Sequence, residues 1–453
     1  MMKLRRKVTR FAAPLMAGML ALTLAGCSGG LFGGGGDDDD DTPTLGNRIP
    51  ILSRIATDIS ADPALADVTV VVPPATTNTT WAQAGGNAAK VAGHVTLSNN
   101  PTRAWSADIA GTTKTRRLAA APVIGDGTLF VVDTDAVIYA FDAQTGARRW
   151  RHQIEVSGDL KNATFGGGAA YDNGRVYATN GVGDVVALDA QTGAQIWRVK
   201  PAGPLRGSPT LAFNEVFVMT QDNQIFALDT DDGSIVWQRA AASGQTGVFG
   251  VAAPAAGQGT VVAGFSSGEL VAYRYENGRE LWSDALARTS ISTQVGTLTD
   301  VDADPIIDQG RVYALGQGGR MAAYELLTGQ RIWELTLAGI STPTVVGEWV
   351  FTLTDDAQLL AIQRTTGRIR WLTQLERWRD AEDREGPIFW TGPVLASGRL
   401  WIASSRGYVK SADVMTGEIT DFTRLSDGVS LPPVVANDMM YILDDDGTIH
   451  AWR

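Results

Sequence analysis

The sequence contains little of the chemistry on which enzymes and metal sites usually depend. It has one cysteine, Cys27, and three histidines among 453 residues. A single cysteine excludes a disulfide within the chain and a cluster of thiolate metal ligands. No Gly-rich phosphate loop, zinc signature or nucleophile elbow is present. These absences leave catalysis without a supporting motif, and we expect no catalytic residue, metal or cofactor.

A long apolar run is also missing. Residues 11–24 are apolar, but a helix that spans a bilayer needs about 20 such residues, which disfavours a permanent transmembrane helix. Five basic residues precede the run, and it ends in Leu24-Ala25-Gly26-Cys27, a three-part pattern typical of a secretory signal over residues 1–26. The tetrapeptide resembles a lipobox, which implies cleavage before Cys27 and acylation of Cys27. Ser28 resembles the pattern that permits export to the outer membrane.

Positive charge is scarce once the signal is removed. Residues 1–26 carry five basic and no acidic residues, so the formal charge goes from −11 to −16. Nucleic acid and anionic lipid surfaces repel such a protein, and we expect contact with the membrane through the lipid anchor only. Residues 27–46 contain glycines and five consecutive aspartates at 37–41, which predicts a flexible acidic tether rather than a metal site.

One phrase recurs eight times and determines the expected fold. A clear copy begins at Ala121 and closes at Trp150, and in six copies a glycine precedes a tryptophan by four residues. These pairs are Gly146 and Trp150, Gly193 and Trp197, Gly233 and Trp237, Gly278 and Trp282, Gly329 and Trp333, and Gly367 and Trp371. The seventh copy has Asp421 and Phe422 after Gly417, which predicts looser outer packing there.

The repeats consist of short β-branched and aromatic runs separated by turn residues, which indicates successive antiparallel hairpins. Residues 105–453 divide into eight units of about 44 residues, a propeller period. The last copy stops after its third strand, while an unpaired strand over residues 102–107 precedes the first copy. The sequence therefore predicts an all-β fold: an eight-bladed β-propeller of four-stranded antiparallel blades over residues 101–453. The N-terminal strand completes the last blade, and residues 47–100 form an extended arm against the ring.

The tryptophan repeats resemble those of pyrroloquinoline-quinone-type propellers. One branch of that superfamily contains quinone-dependent dehydrogenases, and another contains the BamB lipoproteins of the outer-membrane β-barrel assembly machinery. The resemblance to the BamB branch covers the lipobox, the phrase at residues 81–87, all eight repeats and the closing strand. It implies a non-enzymatic scaffold, monomeric within a complex, that is lipid-anchored on the periplasmic face of the outer membrane. The implied partners are the periplasmic domains of the barrel-inserting subunit and, as a second class, nascent outer-membrane proteins.

The resemblance also implies a partner-binding site. Residues 298–302 resemble a Leu-Ser-Asp-Val-Asp loop that contacts the partner in that family, so Asp300 and Asp302 inherit this role. The family's companion stretch, Leu-x-Leu-Arg, is matched to residues 246–249, where Val248 keeps apolar character and Phe249 replaces the arginine. Carboxylates in such a loop accept charge-assisted hydrogen bonds from arginines, with the two apolar residues as an anchor. A solvated turn and a calcium loop remain as alternatives, although the glycine and glutamate of an EF-hand loop are missing.

The alternative function is that of a quinone-binding propeller oxidoreductase or a periplasmic sensor. Resemblance to the dehydrogenase branch would imply a calcium site, a catalytic aspartate and commonly two adjacent cysteines. The chain offers no such pair, because Cys27 is its only cysteine.

Overall fold

A computed structural model describes residues 59–156, 158–241, 252–286 and 300–453, with the side chains of Asp159 and Asn162 left out. These residues belong to one compact unit, Thr57–Arg453. They form eight four-stranded antiparallel sheets, one two-stranded hairpin and two short 3-10 helices, Pro63–Leu65 and Gly158–Ala163. No helix within the described ranges is long and apolar enough to cross a membrane. The predicted all-β, eight-bladed propeller is confirmed, while the predicted signal and tether lie outside the described residues.

Each sheet is one blade, with strands a to d in order from the ring centre outward. The first strands of most neighbouring blades contact one another, which places strand a at the centre. Blades 1 to 4 have these strands: Val123–Gly125, Thr128–Val132, Val137–Asp142, Arg148–Gln153; Ala169–Asp172, Arg175–Thr179, Val185–Asp189, Gln195–Val199; Leu205–Ala212, Glu215–Thr220, Gln224–Asp229, Ile235–Ala240; Ala255–Gly257, Thr260–Gly264, Glu269–Arg274, Glu280–Ala285.

Blades 5 to 7 follow the same order, and blade 8 takes its outer strand from the start of the ring. Their strands are: Ile306–Asp308, Arg311–Gly316, Arg320–Glu325, Arg331–Leu335; Thr344–Val346, Trp349–Leu353, Gln358–Gln363, Ile369–Gln374; Trp390–Ala396, Arg399–Ser404, Tyr408–Asp413, Ile419–Arg424; Val434–Ala436, Met439–Leu443, Thr448–Trp452, Arg103–Asp108. The hairpin Trp378–Asp380 and Glu385–Pro387 lies between blades 6 and 7. The core fills the spaces between blades, where buried residues of adjacent sheets pack together.

The turn between strands c and d is fixed by local hydrogen bonds. In blade 1, Asp142 Oδ1 accepts from the backbone N–H groups of Gln144 and Thr145 at 3.1 and 2.9 Å. Gly146 closes the turn with a φ of 72°, a left-handed conformation that glycine adopts without a steric penalty. The aspartate and glycine of this motif are therefore structural.

A tryptophan on strand d connects each of seven blades to the next. Its indole N–H donates to a carbonyl oxygen of the following blade, and its ring lies against that blade's turn glycine, where an added Cβ would come within 3.0 Å of the ring. The donors and acceptors are Trp105 and Ala143, Trp150 and Ala190, Trp197 and Thr230, Trp237 and Tyr275, Trp282 and Leu326, Trp333 and Arg364, and Trp371 and Val414. We call each of these a tryptophan–glycine contact. The recurring four-residue spacing therefore encodes contacts between blades.

The ring closes by pairing its first and last strands. Arg103–Asp108 pairs antiparallel with Thr448–Trp452, as predicted. Blade 8 consequently has no c–d turn, because its strands c and d come from opposite ends of the ring. Blade 7 thus faces no turn glycine, which explains why Asp421 stands where other blades have tryptophan. Phe422 instead packs edge-on against Trp401 and Trp452, at centroid distances of 5.1 and 5.8 Å, so aromatic packing fills this place.

The described part of the arm, residues 59–100, follows the inner strands around one end of the ring. We call this the arm end; it carries the a–b and c–d turns, whereas the connection end carries the b–c turns and the links between blades. Arm residues hydrogen-bond to strand a of blades 1, 2, 3, 4, 5, 7 and 8. The pairs are Trp81 with Ile124, Ala82 with Tyr171, Gln83 with Leu211, Ala88 with Ala256, Ala89 with Ile307, Val95 with Leu395, and Asn78 with Val435.

We predict that alanine at Gly329 destabilises the ring more than alanine at Gly310. Both glycines have left-handed backbones, with φ of 70° and 74°, so both substitutions carry a conformational cost of about 1–2 kcal/mol. Only at Gly329 would the new Cβ collide with the ring of Trp282, because nothing lies within 4 Å at Gly310. Overpacking adds about 1–3 kcal/mol. Urea unfolding followed by fluorescence measures the difference, and equal losses would contradict the proposed role of the tryptophan–glycine contact.

Candidate functional site

Residues 300–304 lie in the connection from blade 4 to blade 5, at the connection end of the ring. Their backbone is held on both sides: the N–H of Val301 donates to Phe265 O at 3.3 Å, and Asp300 O accepts from Gln317 N at 3.0 Å. The side chain of Val301 is fully buried between the two blades. The backbone that carries Asp300 and Asp302 is therefore held in place by blades 4 and 5.

The carboxylates of this loop face a buried arginine. Arg206 stands on strand a of blade 3, beside a register shift between Arg206 and Thr210. Its Nη2 lies 2.9 Å from Asp300 Oδ1 and 3.3 Å from Asp302 Oδ1, and the side chains of Arg206, Asp300 and Asp302 are 0, 2 and 10 % exposed. A buried ion pair holds its geometry because removal of either partner leaves an uncompensated charge.

Two further charges connect this ion pair to the arm. Lys90 Nζ donates to Thr210 Oγ1 at 3.1 Å, and burial lowers the pKa of this lysine against the opposing effect of Asp304. Burial also raises the pKa of Asp304, while Lys90 and Arg206 act to lower it. Asp304 Oδ1 accepts from Ala253 N at 2.8 Å. Lys90, Asp304, Arg206 and Asp300 therefore form a chain of alternating buried charges that runs from the arm to the loop.

The structure assigns Asp300 and Asp302 different positions. Asp300 is buried and bound to Arg206, so the solvated-turn alternative is wrong for it, and its carboxylate is not presented to a partner as the sequence suggested. Asp302 is the more exposed of the two. Val248, Phe249 and Cys27 lie outside the described residues. Among the described residues, no group of three or more His, Cys, Asp or Glu side chains is placed to hold a metal ion.

Arg206 is the site residue that sequence reasoning missed. The signal was present, because Leu205-Arg206 matches the last two positions of the Leu-x-Leu-Arg pattern that was assigned to residues 246–249. The structure places Arg206 directly against Asp300 and Asp302. This geometry favours Leu205 and Arg206 as the match, in which case the arginine is retained rather than replaced by Phe249.

Exposed apolar side chains lie at the same end of the ring as this loop. Leu160, Ile340 and Phe389 are 51, 44 and 59 % exposed, and they belong to the connections after blades 1, 5 and 6. The hairpin Trp378–Asp380 and Glu385–Pro387 projects from the last of these, with the Arg377 guanidinium 5.3 Å from the centroid of the Trp378 ring. Large exposed apolar residues within a polar surface are a common feature of protein-binding sites.

The described part of the ring interior holds the arm and a set of buried charges. At the arm end, the arm hydrogen-bonds to strand a of seven blades. Further along the interior, Arg206 pairs with Asp300 through Nη2 and Oδ1, and Lys90 and Asp304 are buried. Arg206 Nε and Nη1 and Asp300 Oδ2 have no hydrogen-bond partner among the described residues.

Comparison with known proteins gives a consistent set of relatives. A family model described as "Outer membrane protein assembly factor BamB" matches residues 94–164 and 134–373. Proteins of that name from Vibrio cholerae and Escherichia coli K12 are 30 % and 26 % identical to this chain. The alignments cover 77 % and 78 % of this chain and 88 % of each relative.

Solved structures share the fold at low sequence identity. The crystal structure of BamB from Moraxella catarrhalis has a TM-score of 0.62 at 20 % identity, and the match covers 78 % of this chain and 99 % of that one. A quinohemoprotein alcohol dehydrogenase from Comamonas testosteroni has a TM-score of 0.66 at 14 % identity, covering 83 % of this chain and 81 % of the enzyme. Such likenesses establish the propeller fold and leave the choice between scaffold and enzyme to other observations.

We predict that Arg206→Met destabilises the protein by about 3–5 kcal/mol, because it leaves Asp300 buried without its cation. The double variant Arg206→Met, Asp300→Asn removes both charges and is expected to regain much of that loss. Urea unfolding followed by tryptophan fluorescence measures both effects. If the double variant were no more stable than the single one, the ion pair would not be what holds this loop.

Proposed function

The chain belongs to the BamB family of outer-membrane protein assembly factors, and on this premise we propose that it is a non-catalytic scaffold that supports the insertion of β-barrel proteins into the outer membrane. The observation that carries the proposal is the family match over residues 94–373, which includes blades 1 to 5, the loop at residues 300–304 and Arg206. The loop, Arg206, Leu160 and Ile340 fall inside the matched region, whereas Lys90, Phe389 and the lipid anchor lie outside it.

The proposed partner is the group of periplasmic domains of the barrel-inserting subunit. Asp302 and the backbone of its loop form the charged contact. Arg206 and Asp300 are buried beneath the loop and hold it in place. Leu160, Ile340 and Phe389 supply apolar contact area at the same end of the ring. A rigid loop supports this role because a partner that meets a preorganised surface loses less conformational entropy on binding.

Several parts of the proposal concern residues that the structure does not describe. Cys27 carries the lipid, and residues 27–46 tether the ring to the periplasmic face of the outer membrane. Val248 and Phe249 are proposed to supply an apolar contact to the same partner. Nascent outer-membrane proteins are the second class of partner, and the protein acts as a monomer within the complex.

We predict that Asp302→Arg weakens binding to the periplasmic domains of the barrel-inserting subunit by at least about tenfold, because charge reversal at a contact turns attraction into repulsion. The change is made at Asp302 because it is the more exposed of the two carboxylates that pair with Arg206, and urea unfolding of the variant measures any loss of stability from that pair. Asp427→Arg is the matched control, since Asp427 is an exposed acid on the connection between blades 7 and 8. Pull-down with the purified domains, quantified by titration, measures the effect. Equal binding by wild type and Asp302→Arg would remove this site from the proposal.

The alternative function is that of an oxidoreductase, because quinone dehydrogenases have the same propeller fold. Titration with pyrroloquinoline quinone and calcium, followed by absorbance, is expected to show no saturable binding, since the described residues offer no metal-ligand group. Saturable binding together with turnover of an alcohol would replace the scaffold proposal with an enzyme.

A further inference from the structure

A second surface with the properties of a binding site lies at the arm end of blades 3 and 4. Phe213 and Asn214 form the turn between strands Leu205–Ala212 and Glu215–Thr220, with φ of 58° and 62°. A left-handed backbone is common for asparagine but uncommon for a bulky residue, for which it costs about 1–2 kcal/mol. The ring of Phe213 is 37 % exposed, and it stacks on Tyr275 with centroids 4.2 Å apart. The turn therefore presents an aromatic pair at the surface despite a conformational cost.

A buried carboxylate with one unpaired oxygen stands beside this aromatic pair. Glu215 is 8 % exposed, and its buried Oε2 has no hydrogen-bond partner among the described residues. Burial, followed by the charges of Asp229 and Glu276, raises the pKa of Glu215 to about 7, against the opposing effect of a hydrogen bond with the Trp237 side chain. Buried polar groups in proteins are nearly always paired, so this carboxylate can accept a further donor.

Two of the other seven blades hold an arginine at this position that donates to the next blade. Glu215 is the first residue of strand b, and the first residue of strand b in blade 2 is Arg175. The guanidinium of Arg175 donates to Thr230 O at 3.0 Å, the same carbonyl oxygen that accepts from the indole of Trp197. In blade 2, a cation of the chain itself thus reaches across to the next blade.

The same arrangement is present in blade 5, whereas in blade 3 a carboxylate replaces the guanidinium. Arg311 donates to Arg364 O at 3.3 Å, which also accepts from the indole of Trp333. In blade 3 the corresponding carbonyl is that of Tyr275, which accepts from Trp237 at 2.5 Å, and the first residue of strand b is Glu215 instead of arginine. The cleft between blades 3 and 4 therefore combines acceptor groups and ring faces where the other two clefts hold a guanidinium.

We propose that the patch formed by Phe213, Glu215 and Tyr275 binds an arginine side chain of a partner protein. A guanidinium can stack on the aromatic faces and donate hydrogen bonds to a carboxylate at the same time. Asp229 adds negative charge near Glu215, while Glu276 is paired with Arg274. The patch lies at the opposite end of strand Leu205–Ala212 from Arg206, so it is separate from the loop at residues 300–304 and can be occupied while that loop is engaged.

Calorimetric titration of the purified lipoprotein with acetyl-Gly-Arg-Gly-amide tests the inference. The matched probe carries citrulline, which has nearly the shape of arginine but no charge. At pH 8 the arginine peptide is expected to bind saturably, in the range of about 1 mM, and at least about fivefold more tightly than the citrulline peptide. Equal binding of the two peptides, or no binding of either, would overturn the inference.

Variants separate binding from folding. Glu215→Gln and Phe213→Asn are both expected to weaken binding of the arginine peptide at least about fivefold. Asparagine suits the left-handed turn, so Phe213→Asn should keep or raise the unfolding midpoint while it removes the ring. Asp172→Asn is the control, since Asp172 is an exposed acid beside the corresponding turn of blade 2. Retained binding by Glu215→Gln, or an equal loss in the control, would contradict the proposed site.

The raised pKa of Glu215 gives a separate prediction for stability. Its pKa of about 7 in the folded protein exceeds the value of about 4.3 expected in the unfolded chain, so folding disfavours the ionised form. The resulting destabilisation is absent below the unfolded pKa, grows as the pH rises through 7, and then stays constant. Glu215→Gln is therefore expected to raise the free energy of unfolding at pH 8 and to leave it nearly unchanged at pH 4. A loss of stability at pH 8 would contradict the burial of an unpaired carboxylate.

Discussion

Each tryptophan–glycine contact joins a blade to the next by a hydrogen bond and a close packing contact at once. The indole N–H donates across the gap between blades, and the indole ring occupies the space that a side chain on the turn glycine would need. The contact therefore constrains two distant sequence positions together, and it recurs in seven of the eight gaps between blades in the described structure. The eighth gap lies between blades 7 and 8, where blade 8 has no c–d turn and aromatic packing by Phe422 takes the place of the contact.

Ring closure makes the interior a place where charges can be buried. Lys90 enters from the arm, Arg206 comes from blade 3, and Asp300 and Asp304 come from the connection between blades 4 and 5. Because each charge lies among opposite charges contributed by other elements, the arm, the ring and the loop stabilise one another. The same arrangement fixes the loop backbone at the connection end, so that the scaffold and its proposed contact surface depend on one set of interactions.

The ring was predictable from the sequence because the residues of the same contact between blades recur in most copies of the repeat. The four-residue spacing of glycine and tryptophan, the truncated last copy and the surplus first strand together predicted eight blades and their closure. The site was harder to predict, because Arg206 and Asp300 are 94 residues apart and meet only through the curvature of the ring. Burial of Asp300 likewise depends on Val301 packing between two blades, which no local pattern reports. The departure at Asp421 predicted looser packing, whereas its cause is the absence of a turn in blade 8.

Closure of the ring depends on its first strand completing its last blade. Asp108 and Thr448 are opposite one another in that pairing, and opposite residues in antiparallel strands have Cα atoms about 4.5–5.5 Å apart, within the range of a disulfide. This pairing is tested by Asp108→Cys with Thr448→Cys, with Cys27 replaced by alanine, followed by mild oxidation and non-reducing electrophoresis. We expect an intramolecular crosslink that makes the monomer migrate faster, whereas free thiols or only crosslinked dimers after oxidation would show that the two strands do not pair.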